Sequence, residues 1–407
     1  MSAADTQGRG AIRRLFATPD FRRIWLLGGI ANTMRWLELL AATLWTYEAT
    51  GSAFMVAAVA MMRALPMLLL GAVAGALAER LDRRRLLIAL QASSAAGAGL
   101  VALLAALGWI APWHLMVQGL LAGLAWAGEM ATRRRMAADA APPEDLVQAV
   151  ALDTMTGSTT RALGPLLGGA LFQLTGLAPA AAIACGFHLL ALFLAWRVTP
   201  PRPVVRTPQS ALSGIVEAAR FALSEPRLRM VLGVTLIMNV FAFCYAGILP
   251  AFGAAAFGAS GAAIGLLAAA EPFGALLGGL WMALRRRAPP GLFPFVAGSL
   301  LFFACLLLVV SSPFYMLAWV LLVLGGLGTA RFAAMQTSLV MTHAPPEIRS
   351  RVLGLVTTCI GAGPAGVLLV GALAERLGPH AALYTMATLG LVLLLALLLR
   401  EWRVSRG

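Results

Sequence analysis

Apolar residues run along this chain in blocks of about 20, separated by short polar or arginine-bearing breaks, and the blocks recur from residue 24 to residue 399. A helix rising 1.5 Å per residue needs about 20 such residues to cross the roughly 30 Å hydrocarbon core of a bilayer. The pattern predicts twelve membrane-spanning helices. Those of the first half cover residues 24–47, 54–78, 86–107, 115–132, 146–172 and 180–196. Those of the second cover 230–252, 262–284, 292–310, 315–331, 352–374 and 381–399. Between the two sets, Pro200, Pro201, Pro203 and Pro208 open a linker over 197–229. There Leu212, Ile215, Val216, Ala219 and Leu223 recur at helical spacing, which predicts a short amphipathic helix lying on the inner membrane surface, or else packed on a cytoplasmic loop.

Composition agrees with the pattern. Of 407 residues, 60% are hydrophobic and 12% charged, where soluble domains carry about 25% charged residues. A soluble enzyme, a secreted disulfide scaffold and a disordered chain are excluded. The four cysteines lie inside apolar blocks with no metal-ligand spacing, and neither a metal nor a cofactor is implied. The first block carries Arg35 and Glu38, unlike the core of a cleavable signal peptide.

Charge placement orients the spans. All 31 basic residues are arginine, giving a net charge of +14. Twenty-six fall in the tails, the linker and every second loop, and one, Arg376, in the alternate loops. The positive-inside rule then puts both termini and the linker in the cytoplasm; the expected location is the cytoplasmic (inner) membrane. The same distribution argues against nucleic-acid binding, for which arginines would gather on one face.

The halves repeat. Arg83–Arg85 recur as Arg285–Arg287, Ala141-Pro142-Pro143-Glu144 as Ala344-Pro345-Pro346-Glu347, Gly164-Pro165 as Gly363-Pro364, and Trp196-Arg197-Val198 as Trp402-Arg403-Val404. The offsets lie near 200 residues. An even number of spans per unit makes the repeats parallel. The expected fold is all-α, with twelve transmembrane helices in two parallel-repeat six-helix bundles, 1–196 and 230–407, which is the plan of alternating-access transporters.

Two motifs carry a family resemblance. Gly75-Ala76-Leu77-Ala78-Glu79-Arg80-Leu81-Asp82-Arg83-Arg84 resembles the cytoplasmic loop motif G-x-L-x-D-R-x-G-R-R of the major facilitator superfamily, with Glu79 for Asp and Asp82 for Gly. The resemblance implies a gating loop formed by Gly75, Glu79, Arg80, Arg83 and Arg84, whose arginines can reach carboxylates such as Glu129 or Asp153. Gly164-Pro165-Leu166-Leu167-Gly168-Gly169 resembles the end of the superfamily's antiporter motif, G-P-x-x-G-G, and equally suits close helix packing. Arg63-Ala64-Leu65-Pro66, the linker segment Glu217–Arg229 and Pro346–Gly354 resemble the enterobactin-exporter-like and macrolide-efflux-like branch. That branch tends to read N-x-G-D-W in its first span. Here the run is Asn32-Thr33-Met34-Arg35-Trp36, and Glu38 follows one turn on.

Ionisable residues at membrane depth are costly, about 2.5–3.5 kcal/mol each on insertion scales, and mark candidate sites. Arg35, Arg63, Arg161 and Glu271 fall near mid-depth, with Glu38 slightly outside it and Asp153 nearer the cytoplasm. Arg35 and Glu38 share a helix face and are expected to pair with each other. Arg63 and Arg161 need partners on other helices or must face water, Glu129 and Arg331 sit at inner ends where snorkelling suffices, and His188 reads as a packed polar residue. Arg35, Arg63 and Arg161 are the substrate-cavity candidates. Their excess over the mid-depth acids favours an anionic or zwitterionic amphiphile. Glu271, Glu38 and Asp153 are the proton-coupling candidates, Glu271 foremost because Pro272 frees a backbone carbonyl beside it. The expected protein is a monomeric, proton-coupled exporter of a small amphiphilic molecule, drug-like or siderophore-like. An importer, or a non-transporting receptor or assembly factor on the same fold, is the alternative. No G-x-x-x-x-G-K-[ST] loop occurs for ATP drive, and no nucleophile–base set for an enzyme.

Overall fold

The computed structural model describes residues 12–80, 82–199, 211–284, 291–345 and 348–404, and of residues 68–80, 131, 143, 147, 211–217, 283–284, 350 and 402–404 the backbone alone. Every regular element among the described residues is helical. The first six long helices are α1 (Pro19–Thr50), α2 (Ala53–Arg80), α3 (Arg83–Ala106), α4 (Pro112–Ala140), α5 (Leu146–Thr175) and α6 (Leu177–Arg197). They are followed by α7 (Ala211–Ser224), α8 (Pro226–Ile237), α9 (Leu249–Phe257), α10 (Gly261–Leu284) and α11 (Leu292–Ser311). The last four are α12 (Tyr315–His343), α13 (Arg349–Gly361), α14 (Gly363–Leu377) and α15 (Pro379–Val404). The chain divides into two compact units: Met1–Thr46 with Met62–Val204, and Tyr47–Met61 with Val205–Gly407.

Eight helical stretches among the described residues are long and apolar enough to cross a membrane. They correspond to the third, sixth and all six later predicted spans. Of the others, α1, α4 and α5 are 32, 29 and 30 residues long. They fall short in hydropathy, not length, because they carry Arg35, Glu38, Glu129, Arg133, Asp153 and Arg161. Helix α4 runs on through Arg133–Arg135 to Ala140, past the predicted end at 132.

In the first unit, Leu15, Phe21, Ile24, Leu27, Leu87 and Met136 form the buried core at one end, and Met34, Leu37, Ala98 and Ala184 a second cluster. Helices α1 and α5 touch backbone to backbone. A Cβ on Gly168 would lie 2.7 Å from the Leu37 carbonyl oxygen, and one on Gly164 2.4 Å from Trp36 Cβ. Only glycine permits that approach, which gains dispersion where lipid supplies no hydrophobic drive.

The second unit packs α10, α11 and α12 around similar approaches. A Cβ on Gly326 would meet the Glu271 carbonyl oxygen at 2.2 Å. The predicted seventh span is not one regular helix. Between α8 and α9 it passes through a π-helical turn, Met238–Ala242, and a 3-10 segment, Phe243–Ile248. Pro250 then sits in the first turn of α9, where its missing N–H costs nothing. The eleventh span breaks at Ala362 for the same reason, with Pro364 opening α14. The linker helix α7 forms, but its Ala218 and Ala222 are fully buried in the second unit's core. It packs on neighbouring helices through Ala218 and Ala222, whereas Leu223 of the predicted apolar face is exposed.

Candidate functional site

Two groups of charges lie largely buried within the first unit. In one, Arg35 on α1 donates through Nη2 to Glu129 Oε2 on α4 at 2.8 Å and also donates to Asn32 Oδ1. Its guanidinium lies 5.0 Å from the Trp126 ring centroid, a cation–π contact that adds to the ion pair. Glu129 extends the group to Arg133, whose Nε is 3.5 Å away. Arg133 and Arg134 both hold Asp153 on α5, Arg134 at 3.1 Å. Arg133 fits inside because Gly28 on α1 leaves room for its guanidinium.

In the second group, Glu38 on α1 stands between two bases. Arg63 Nη2 on α2 donates to its Oε2 at 3.3 Å, and His188 Nε2 on α6 lies 3.3 Å from its Oε1. The other ring nitrogen of His188 is 3.4 Å from Gln91 Oε1 on α3. Four helices thus meet at one carboxylate and one imidazole. Arg63 precedes Pro66, and the α4 backbone closes on it at Gly123.

In the second unit Glu271 is buried on α10, and its Oε1 takes a hydrogen bond from Thr329 Oγ1 of α12 at 2.6 Å. That hydroxyl is also 3.0 Å from the Gly326 carbonyl oxygen. Beside the π-helical turn, Gln336 donates to Thr235 Oγ1 at 2.6 Å, and Asn239 donates to the Thr235 carbonyl at 2.9 Å. Arg331 is half-buried, its guanidinium 5.2 Å from the Trp281 ring.

Several expectations need correction. Arg35 and Glu38 do not pair with each other, because the turn between them aims the first at α4 and the second at α2 and α6. Glu129 does not snorkel but is buried as the counter-ion of Arg35. Arg35 and Arg63 are each matched by a carboxylate and form no uncompensated cationic pocket. Arg161 is half-buried on α5, one turn before Gly164. Arg83 reaches Asp139 at 2.6 Å, and not Glu129 or Asp153, because α4 continues far enough to bring Asp139 to the start of α3. Arg84 donates to the Trp196 carbonyl. Asp82, where the loop motif has Gly, caps α3 by accepting from the Arg85 N–H at 2.8 Å. The side chains of Glu79 and Arg80 lie outside the described residues, as do Leu81, Arg285–Arg287, Pro346 and Glu347; Gly75 is described as α2 backbone. Gly164, Pro165 and Gly168 lie buried against α1, with Gly169 buried beside them.

Sequence reasoning missed Gln91 and the Thr235–Gln336 pair. A lone polar residue inside an apolar block was the available signal, and nothing in the spacing says what such a residue faces.

Known proteins share this helical fold. The chain belongs to the transmembrane secretion effector family of the major facilitator superfamily, whose profile matches residues 15–405. It is an integral, multi-pass membrane transporter and not an enzyme. It is 32% identical over 350 residues to the enterobactin exporter EntS of Citrobacter koseri, covering 82% of this chain and 80% of that one. In fold it resembles a bacterial homolog of the human lysosomal transporter Spinster in an inward-facing, unoccupied conformation (TM-score 0.70, 16% identity, 95% and 97% of the two chains). It also resembles the nucleoside transporter NupG (TM-score 0.71, 12% identity, 93% and 98%).

Proposed function

We propose that the protein is a secondary active exporter of a small, amphiphilic, siderophore-like molecule, driven by protons through alternating access. The observation that carries this is the relationship to enterobactin exporters at 30–32% identity over four-fifths of both chains. An anionic cargo would have to compete with Glu129 and Glu38 for the first unit's buried arginines. A cargo oxyanion reaching Arg35 or Arg63 would exchange with Glu129 or Glu38, so that binding and rearrangement are one event. On this reading twelve spans form two parallel six-helix bundles in the inner membrane, with both termini and the linker in the cytoplasm, and the protein works as a monomer. Gly75, Glu79, Arg80, Arg83 and Arg84 form the cytoplasmic gate, with Asp139 the acceptor that Arg83 uses. Glu271, Glu38 and Asp153 are the groups through which protons couple.

The test is reconstitution of the purified protein in liposomes with an imposed pH gradient. Enterobactin movement that follows the gradient, accompanied by proton flux, is expected. Absence of both in protein that is folded and correctly inserted would overturn the reading. Cysteine labelling in sealed cells tests topology separately: position 405 should stay protected from outside, and position 113 should react.

A further inference from the structure

The imidazole of His188 is 4% exposed, yet both its nitrogens face oxygen. Nε2 is 3.3 Å from Glu38 Oε1, and Nδ1 is 3.4 Å from Gln91 Oε1. A neutral imidazole has one N–H and one lone pair, so it can satisfy only one of two acceptors; the imidazolium has an N–H for each. The surroundings leave the account unclosed. Glu38 Oε1, Arg63 Nε and His188 Nε2 are buried side-chain atoms without a hydrogen bond of good geometry. All three belong to one cluster, and an unmet polar atom in a buried site carries a cost that a movable proton can relieve.

We propose that His188 is a proton-binding site of the transport cycle, charged while it bridges Gln91 and Glu38 and emptied when Glu38 is given over to Arg63. The inference rests on the transport reading above and names the group behind the Glu38 candidate. With the ring protonated, Glu38, Arg63 and His188 sum to one positive charge. Loss of one proton from the ring leaves a neutral imidazole, and the remaining Glu38–Arg63 pair is neutral. The freed lone pair cannot face an oxygen. Either Gln91 turns its amide to donate to Nδ1, or α6 gives up its charged link to Glu38 on α1. Two arrangements of the same helices then differ in proton affinity, which coupling to a gradient requires. The groups facing the ring are Gln91 from α3 and Glu38 from α1, with Arg63 of α2 acting through Glu38. On α5 the charged residues are Asp153, held by Arg133 and Arg134, and Arg161.

The experiment uses the full chain in lipid nanodiscs, labelled with 15N-histidine. The chain has four histidines, and the signal lost in His188→Gln is that of residue 188. The expected result is a ring found with both nitrogens protonated in one part of the accessible pH range and with one in another, the balance between the two moving in Glu38→Gln and again in Gln91→Leu. A ring that stays in one neutral tautomer throughout overturns the proposal, as does a titration indifferent to both substitutions. In liposomes, His188→Gln should lose pH-gradient-driven enterobactin transport and keep enterobactin exchange at equal pH. Undiminished gradient-driven transport would count against His188. Should His188→Gln fail to fold, Gln91→Leu keeps the ring in place and is expected to alter the pH profile of transport; an unchanged profile would overturn the proposal. If the unsubstituted protein moves no enterobactin, the substrate reading fails, and the ring titration still decides the proton site.

Discussion

Arg35 and Glu38 stand one helical turn apart on α1 and take different partners: Arg35 meets Glu129 at 2.8 Å and Glu38 meets Arg63 at 3.3 Å. Both pairs tie α1 to another helix inside the first unit. A buried pair contributes little over a well-packed apolar one, but removing one member strands a charge, at about 3–5 kcal/mol. Glu129→Ala should therefore lower the thermal unfolding midpoint sharply, while Arg35→Met combined with Glu129→Leu should restore much of it. A double substitution no better than the single would mean that the pair does more than neutralise itself.

The glycines of α5 divide by what they touch. A Cβ at Gly168 would meet the Leu37 backbone at 2.7 Å, whereas one at Gly157 meets nothing within 4 Å. Gly168→Ala must push α1 away, an overpacking cost of about 1–3 kcal/mol. Gly157→Ala should be neutral or stabilising, up to about 1 kcal/mol from helix propensity. Melting of the two purified variants in the same detergent checks the contrast, and equal behaviour would refute close packing as the motif's role.

Much of this fold was legible in the chain. Apolar blocks located eight stretches that are long and apolar enough to cross a membrane among the described residues, and the run Gly164–Gly169 located a close helix contact, because those depend on local geometry; the breaks within the seventh and eleventh spans were not read. The charge partners were not legible. Spacing made Arg35 and Glu38 look like a local pair, but which helix each meets depends on packing, which a single helical period does not encode. Arg133–Arg135 read as the end of a span for a related reason. Arg133 is taken inside by Gly28, Glu129 and Asp153, two of which belong to other helices. The π-helical turn at Met238–Ala242 had no sequence signal, since Met, Asn, Val, Phe and Ala serve equally in an α-helix.

Asp145 is buried at the start of α5 and takes a two-pronged contact from Arg14, at 2.6 and 2.8 Å. The Arg14 hydrogen bond holds the Asp145 carboxyl below its ordinary range. A depressed folded-state pKa contributes stability above the unfolded value and loses it as pH falls through the folded one. The contact should thus persist down to the ordinary carboxylate pKa of about 3.9 and release only below it. Hydrogen exchange of residues 12–17 against pH reads this. In Asp145→Asn protection there should already be reduced at neutral pH and should not change further on acidification.

Glu375 on α14 accepts from the Ser52 hydroxyl at 2.8 Å and the Phe54 N–H at 3.3 Å, so a carboxylate closes the start of α2 within the second unit. Acids at helix N-termini contribute about 0.3–1 kcal/mol, up to roughly 2 when partly buried. A cysteine at buried Ala57, beneath this contact, should react several-fold faster with a thiol reagent once Glu375→Ala is added. An unchanged rate would show that apolar packing at Gly371 alone holds the two helices together.

The Thr329 hydroxyl has one proton and two oxygen neighbours, Glu271 Oε1 at 2.6 Å and the Gly326 carbonyl at 3.0 Å. It can donate to only one. If Glu271 is ionised, the proton points to the carboxylate; if Glu271 is protonated, Thr329 accepts from the acid and donates to Gly326. The hydroxyl thus lets α12 register the charge on α10. Glu271→Gln mimics the protonated arrangement, because the amide donates to Thr329 as the acid does, and should fold and stay in that state. If Glu271 carries the proton, the variant should lose substrate-driven pH change in vesicles while keeping exchange at equal pH. Infrared difference spectra of the unsubstituted protein should then contain a carboxylic-acid carbonyl band that Glu271→Gln removes and Thr329→Val shifts. Full coupling in Glu271→Gln would pass the carrier role to the Glu38 cluster of the first unit, where Glu38→Gln should then abolish it.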